Sequence, residues 1–507
     1  MKQTNFILWL VGYFYLCVYT NVTAQIVFNK TFQTDTTNRL AACILPALND
    51  TYIFCGGLNA PNNYTSLYVH KINNIGETIF VKPLKESNEY QDIYTLFGGA
   101  LIRTNDNNYA IVAALETEVN ERDFVFIKFN EQGDVIWERN YLTPDSLDAP
   151  VGVLQTPDNG FLLYGYTQYF VDADHYEPNH VLLLKTNATG NVIWKKKAGE
   201  GIYAHILYAQ QTQDGGFVLS GYCYTAATGY DMYAVKTDSL GIVQWEKTYG
   251  TNQDDDGCFV LQLQTGNYIL FGGIKNDNSD NIYIAELMSN SGNVLWYKQY
   301  GVNEYCGVYP LHLTTDNQVV GVQYDYSNSQ PTRYYLTKFS TTNGDIIWQS
   351  SQIHSNLGDT DDYLRDIEPT ADGGFVLAGF NYGSPQSSWV VKTDSLGNTC
   401  SFINCDSTIY TGTNTATPAL PTKASHIQVY PNPTNNNFTL SYQLPPNIAF
   451  GVLELYNTLG QKVLYKQAPQ ALTKISVSVA HLPAGVYLYR FVTINGVVAS
   501  GEIIVSR

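Results

Sequence analysis

Apolar and polar positions along this chain come in short strand-length runs, broken by turns rich in glycine and asparagine, without the spacing of a helix. Residues 212–250 show the pattern best. Asp214-Gly215-Gly216 makes a turn, because glycine accepts positive φ at little steric cost. Residues 217–221 are an apolar run of strand length, 232–236 a second strand, 238–241 a second turn, and 242–249 a third strand carrying Trp245.

Diverged copies of this segment recur, each marked by a turn glycine and an aromatic residue four positions later. The pairs are Gly76/Phe80, Gly133/Trp137, Gly190/Trp194, Gly241/Trp245, Gly292/Trp296 and Gly344/Trp348. Five of the seven Trp in the chain occupy this one position. A seventh glycine, Gly397, has no aromatic after it. The glycines are 57, 57, 51, 51, 52 and 53 residues apart. A repeat of this length, built from strands alone, predicts a β-propeller, because one small sheet cannot bury both faces and a ring of them can. The repeated aromatic then fills the gap between neighbouring sheets, each burial contributing roughly 2–3 kcal/mol. Residues 26–32, IVFNKTF, match VQWEKTYG and place Phe28 at the Trp245 position. The first strand of the mature chain is therefore expected to complete the seventh blade and remove exposed edges.

Charge and the chain ends narrow the setting. Net charge is −17, charged residues are 14%, and Tyr numbers 40. Residues 426–507 carry five basic and two acidic side chains, and Lys2 adds one positive charge, leaving about −21 on residues 25–425. That excludes nucleic acid and anionic membrane as partners. Lys2, the apolar stretch 6–19 and Val22-Thr23-Ala24 form a secretory signal, expected to span 1–24, and no other segment is expected to span a membrane. Seven of the eight cysteines remain after its removal. Export permits disulfides; Cys400 and Cys405 are close in sequence, and Cys43 and Cys55 could face each other across a hairpin.

The repeats fill a propeller expected over 25–405. Residues 406–425, rich in Thr, Ala and Pro, are expected to be a linker. Residues 426–507 alternate with period two, most clearly in Ile475-Ser476-Val477-Ser478-Val479, and predict a small Ig-like β-sandwich. The expected fold class is thus all-β: a seven-bladed propeller followed by that sandwich.

Three motifs in this last segment carry a resemblance: VYPNPTNNNFTL at 429–440, LELYNTLGQKVL at 453–464 and LPAGVYLYRF at 482–491, ahead of the basic Arg507. They resemble the type A C-terminal sorting domain of the Bacteroidetes type IX secretion system. Tyr430, Pro431, Asn432, Pro433, Gly460, Gly485 and Tyr487 sit at the motif positions. The resemblance implies the type IX machinery as partner through 426–507, and a protein that is secreted or held at the outer-membrane surface. The propeller is similar to those carried as cargo on such chains. The Gly-to-Trp spacing is also similar to the tryptophan-docking repeat of quinoprotein dehydrogenases, which implies the fold. Seven copies and the lack of an adjacent cysteine pair leave no cofactor expected.

No nucleophile elbow, phosphate loop or zinc spacing is present, and the eight His are scattered. Asp254-Asp255-Asp256 and Asp359-Thr360-Asp361-Asp362 are expected to be solvated turns between blades rather than metal sites. Residues 115–122 and 167–180 are the longest loops, and Tyr169, His175 and Tyr176 in the second are the candidate binding residues. The expected role is binding or adhesion to a glycan or protein, without catalysis. The alternative is an extracellular polysaccharide hydrolase or lyase. A carboxylate pair converging on the channel would favour the enzyme, and an apolar plug the binding protein.

Overall fold

In this computed structural model the described residues are 26–506, apart from 34–37, 60–64, 87–90, 95–98, 118–121, 142–145, 173–174, 177–179, 200–202, 256, 277–278, 302–304, 328–329, 351–352, 355–361, 382–384, 400–409, 412–426, 445–449, 458–461, 470–471 and 494–495. They are almost all strand; one short 3₁₀ turn, Leu48–Asp50, is the helical exception.

Among the described residues, seven antiparallel units, each built on four main strands with a short fifth in some, follow one another. They cover residues 39–85, 91–141, 146–198, 203–249, 258–301 and 305–349, and the last joins 362–392 to 28–33. In that last unit Phe28–Gln33 pairs antiparallel with Ser387–Lys392. Residues 410–411, inside the expected linker, pair in parallel with Phe32 and Gln33. A single parallel bridge from Leu147 to Arg122 joins units 2 and 3 into one larger sheet.

The core lies between units. Cys43, Ile53 and Val69 of unit 1 share one buried cluster with Tyr109 and Ile127 of unit 2. Equivalent clusters link each unit to the next. The cycle closes where Phe28, Phe32 and Val376 of unit 7 pack on Ile44, Phe54 and Tyr68 of unit 1. The first strands likewise neighbour one another around the cycle, unit 7 beside unit 1. The fold is all-β and propeller-like.

Four of these first strands carry a one-residue bulge at the same place. It falls between Ala41 and Cys43, Pro150 and Gly152, Ile206 and Tyr208, and Leu364 and Asp366. A bulge re-aims the side chains that follow it. Here it brings Cys43, Gly152, Tyr208 and Asp366 to one level of the ring.

The C-terminal unit is a separate sandwich. One sheet orders Gln428–Tyr430, Asn437–Ser441 and Lys474–Ser478; the other orders Lys462–Pro469, Phe450–Tyr456, Gly485–Thr493 and Gly496–Val505. Phe438, Leu440, Leu453, Leu455, Val477, Phe491 and Ile503 are buried in it.

Candidate functional site

Six of the seven repeated aromatics meet the turn of the following unit. The Trp194 ring lies against Gly241, Trp245 against Gly292, Trp296 against Gly344, Trp137 against Gly190, Phe80 against Gly133 and Phe28 against Gly76. These glycines have φ between +67° and +81°, a conformation closed to most side chains, and a methyl group at Gly241 would lie 2.8 Å from the Trp194 ring. The indole N–H of Trp245 donates to the Ser289 carbonyl at 3.2 Å, and the Tyr249 hydroxyl to the Gly292 carbonyl at 2.7 Å.

Trp348 departs from the expected repeat. The groups nearest Gly397 are Leu336 and Ser350 rather than the Trp348 ring. The strand that carries Trp348 is short, Ile346–Gln349, and Ser350 turns inward directly after it, its hydroxyl accepting from the Leu336 amide at 3.0 Å. Ser350 and Leu336 thereby take the space under the turn, and Trp348 instead lies tilted against Phe375 of unit 7 at 6.4 Å. Burial is also less even than the repeat suggests. Phe28 and Trp245 are buried, whereas Phe80, Trp137, Trp194, Trp296 and Trp348 are half-buried.

A second repeated device was written in the sequence as T-x-D followed by K-T. Lys185 clasps Asp158 at 2.9 Å, Lys236 clasps Asp214 at 2.8 Å and Lys392 clasps Asp372 at 2.9 Å. Each lysine also donates to the carbonyl of the next residue, Thr186, Thr237 or Thr393. Burial alone would raise Asp214, but the Lys236 ammonium and Thr212 hydroxyl hold its carboxyl below the usual range. The clasp ties the turn between the first and second strands of the unit to its third strand and carries no free chemistry.

An aromatic cluster occupies one end of units 3 and 4. His205 on the first strand of unit 4 faces Tyr222 on its second, rings 4.9 Å apart and nearly parallel. Tyr166 of unit 3 lies 4.3 Å from the same imidazole, and Tyr203 5.0 Å. Tyr230 packs edge-on against Tyr222 at 5.8 Å and Tyr224 at 5.2 Å. Tyr224 and Tyr230 are 46% and 41% exposed, whereas Tyr222 is half-buried. Burial lowers His205 to about 4, so the imidazole is neutral at pH 7, and burial first, then the neighbouring phenols, pushes Tyr222 up to about 12. Unit 7 repeats the arrangement: Tyr363 stacks on Phe380 at 5.5 Å, with Arg365 over the same ring. The cluster combines apolar ring faces with phenol hydroxyls, and its histidine carries no charge.

A different group sits at the bulge level. The Asp366 carboxylate accepts from the Ile44 amide of unit 1 at 2.8 Å and from the Ile367 amide at 3.0 Å. Glu368 follows two residues later on the same face of the strand. Tyr208 and the Tyr164 phenol, which fills the space beside Gly152, are near enough to feel the Asp366 charge, and Cys43 does too. His312, whose Nε2 has no hydrogen-bond partner, is held by the backbone of Ile367. Burial raises Asp366 to about 7 against the two amides, and burial together with the Asp366 charge raises Glu368 well above the carboxylate range.

Between about pH 4, where Asp366 titrates in an unfolded chain, and pH 7, the folded state binds more protons, so stability falls as pH rises. Glu368 extends that loss to higher pH. Calorimetric melting at pH 5 and pH 8 should show roughly 2–4 kcal/mol less stability at pH 8, and Glu368→Gln should shrink the difference. An unchanged difference in the variant would remove the coupled pair from the account.

Of the candidate binding residues, Tyr169 pairs with Ser146, His175 with Asp172 and Tyr176 with Phe170. The expected loop is thus a hairpin continuing Phe161–Asp172, while the side chains of the three residues lie outside the described positions. The acid-rich turns are not fully solvated. Asp255 is buried and accepts from the Thr251 and Lys275 amides, and Asp362 is buried and accepts from the Asn381 carboxamide. These carboxylates satisfy strand ends, a demand that sequence spacing does not display. Among the described residues no group of three or more His, Cys, Asp or Glu could hold a metal ion. Cys43 and Cys55 are register partners with free, buried thiols, the Cys43 thiol donating to the Cys55 carbonyl. Cys400 and Cys405 lie outside the described residues.

In the sandwich, Pro431-Asn432-Pro433 has only one backbone N–H to offer, and the Asn432 side chain acts in place of a strand. Its carboxamide donates to the Glu502 carbonyl at 2.7 Å and accepts from the Ile504 amide at 2.8 Å. Thr434 then pairs with Val505. Tyr487 is buried, its hydroxyl donating to the Pro483 carbonyl, and Gly485 opens its strand; Tyr430 is exposed beneath Lys474, and Gly460 lies outside the described residues.

Residues 428–506 match the family described as the secretion system C-terminal sorting domain. No curated protein matches the chain. Among solved structures, a protein of unknown function from Dyadobacter fermentans is similar at 11% identity, covering 72% of this chain and 97% of its own, with a TM-score of 0.40. The polysaccharide lyase Uly1 is similar at 10% identity over 70% of this chain and 90% of its own, TM-score 0.45. Sqt1 from Chaetomium thermophilum is similar at 10% over 74% and 86%, TM-score 0.41. Among the described residues no helix is long and apolar enough to cross a membrane. Residues 428–506 are a type IX secretion system C-terminal sorting domain, which marks the propeller-like chain ahead of them for export to the cell surface or the extracellular space.

Proposed function

We propose that this chain is an exported binding protein whose seven-bladed propeller presents an aromatic mouth to a glycan. The observation that carries the reading is the cluster of Tyr166, Tyr203, His205, Tyr222, Tyr224 and Tyr230, open to solvent at Tyr224 and Tyr230. Sugar rings offer apolar C–H faces and peripheral hydroxyls. Tyrosine matches both with a flat ring and a polar tip, at low cost in side-chain entropy. The propeller carries about −21, so a polyanionic glycan is repelled and an uncharged one is favoured. The sorting domain delivers the mouth to the compartment where such glycans lie.

Titration of the intact exported protein with uncharged oligosaccharides should give saturable binding. Tyr224→Ala with Tyr230→Ala should weaken it about 10- to 100-fold, each ring contributing roughly 1 kcal/mol of stacking. Full affinity in the double variant would move the site elsewhere.

A second reading, a hydrolase or lyase, is favoured by one observation: Asp366 and Glu368 form a carboxylate pair with raised proton affinity. Both Asp366 oxygens are engaged by backbone amides, which supports a structural role instead. Product release from a polysaccharide that is lost in Glu368→Gln would establish the enzyme.

A further inference from the structure

Unit 3 breaks a packing rule that the other repeats keep. In five units the third strand sets one residue opposite a glycine of the second strand: Tyr68 opposite Gly56, Leu182 opposite Gly165, Tyr233 opposite Gly221, Tyr283 opposite Gly272 and Trp389 opposite Gly379. All five face the preceding unit. Four are aromatic, and Leu182 is the exception. In units 4, 5 and 7 the aromatic side chain crosses to the outer strand. Tyr233 donates to the Glu246 carboxylate at 2.8 Å, Tyr283 stacks on Tyr297 at 5.4 Å, and the Trp389 indole donates to Asn29 at 2.7 Å. Glu246, Tyr297 and Asn29 hold one register position, and in unit 3 that position is Lys195. Leu182 has no ring with which to reach it.

The space left there is a cavity of about 260 Å³ between units 2 and 3. Its floor is apolar, made by the buried Phe124, Leu182 and Leu184. One wall is polar. Asp148, buried, accepts from the Ser146 and Thr167 hydroxyls and pairs with the Lys195 ammonium at 3.2 Å. Asn140 and Val192 line it from exposed positions, so the cavity is open to solvent.

We propose that this cavity is a binding site for a single uncharged sugar ring. Pockets that enclose drug-sized molecules run to roughly 300–1,000 Å³, so the space suits one ring with its hydroxyls. Asp148 and Lys195 neutralise each other, and a ligand with net charge would have to break that pair. Hydroxyl groups can donate to the carboxylate and accept from the ammonium without doing so. An apolar ligand would strip water from the ion pair and return nothing, which is costly. The C–H face of a sugar covers the Phe124 and Leu184 floor. The site shares no residue with the aromatic cluster of units 3 and 4 and stands without it.

The test is titration of the intact protein with glucose, galactose, mannose and N-acetylglucosamine by saturation-transfer NMR, with cyclohexanol as a ring that lacks most of the hydroxyls. At least one sugar should bind saturably, and cyclohexanol more weakly than that sugar. Leu182→Tyr gives unit 3 the tyrosine of units 4 and 5. It should weaken sugar binding about tenfold or more and melt no lower than the parent, because it fills a cavity instead of opening one. Asn140→Ala, at an exposed position, should weaken binding a few-fold with the fold unchanged. No saturable binding of any of the four sugars, or tighter binding of cyclohexanol, would reduce the cavity to a packing gap and overturn the proposal. Full sugar affinity in folded Leu182→Tyr would place the sugar elsewhere and overturn it too. Should that variant fail to fold, full affinity in Asn140→Ala decides the matter in the same direction.

Discussion

Removing residues 26–32 should collapse the cooperative melting of the propeller. The segment supplies the outer strand of unit 7, running antiparallel to Ser387–Lys392. It buries Phe28 and Phe32 in the cluster shared with unit 1. Its Asn29 accepts from the Trp389 indole at 2.7 Å and donates to the His354 carbonyl at 2.8 Å. Losing either phenyl ring from a core costs about 3–5 kcal/mol, so the pair alone approaches the whole stability of an ordinary domain, about 5–15 kcal/mol. Differential scanning calorimetry of the truncated chain should show the main transition lost or lowered by well over 10 °C, taking roughly 2–4 °C per kcal/mol. A transition within a few degrees of the parent would mean that the first strands alone hold the ring together.

Trp245→Ala should cost about 3–5 kcal/mol. Trp245 is buried between units 4 and 5, against Gly292 and edge-on to Tyr268 at 5.8 Å, with its N–H on the Ser289 carbonyl. Truncation leaves a cavity the size of an indole and strands that carbonyl. The neighbours cannot slide in, because the Gly292 turn is fixed by its own hydrogen bond to Met288 and by Tyr249. Guanidinium unfolding, followed through the midpoint at constant slope, measures the loss. A cost under about 1 kcal/mol would show that the ring is not what spaces the two sheets.

The ring could be read from the sequence because its signal is local. Gly241 and Trp245 lie four residues apart, and the same spacing recurs at six of the seven turn glycines, so one strand displays both halves of a contact that the structure then makes with its neighbour. Trp348 shows the limit of that signal. Gly344 and Trp348 keep the spacing, but whether the ring reaches the next turn depends on Ser350 and Leu336, which the repeat does not mark. The lysine clasp is equally local, T-x-D in a turn and K-T on a nearby strand, but a turn accounts for Asp214 without any need of Lys236. The aromatic cluster was hidden for another reason. Tyr166, His205 and Tyr222 come from three strands of two units, and His205 taken by itself is one scattered histidine among eight. Asp366 was harder still. Its partner, the Ile44 amide, is 322 residues away, and nothing in the local sequence distinguishes Asp366 from an acid beside a turn. Such contacts exist only after the ring closes, so they leave no periodicity to find.

That closure also fixes an order of events. The leading strand cannot find its partner until Ser387–Lys392 has been synthesised; the Asn29–Trp389 bond spans 360 residues. Bringing ends so far apart together carries the entropy of a long loop, and contacts of this kind form slowly. A chain still emerging from the ribosome therefore keeps Phe28 and Phe32 exposed and the last sheet unfinished. Delay of this kind suits an exported protein, because the fold withholds its final step until the message has been read almost to the end of the propeller. The same timing makes a prematurely terminated chain conspicuous: without the seventh unit its leading strand lacks the sheet that buries Phe28 and Phe32.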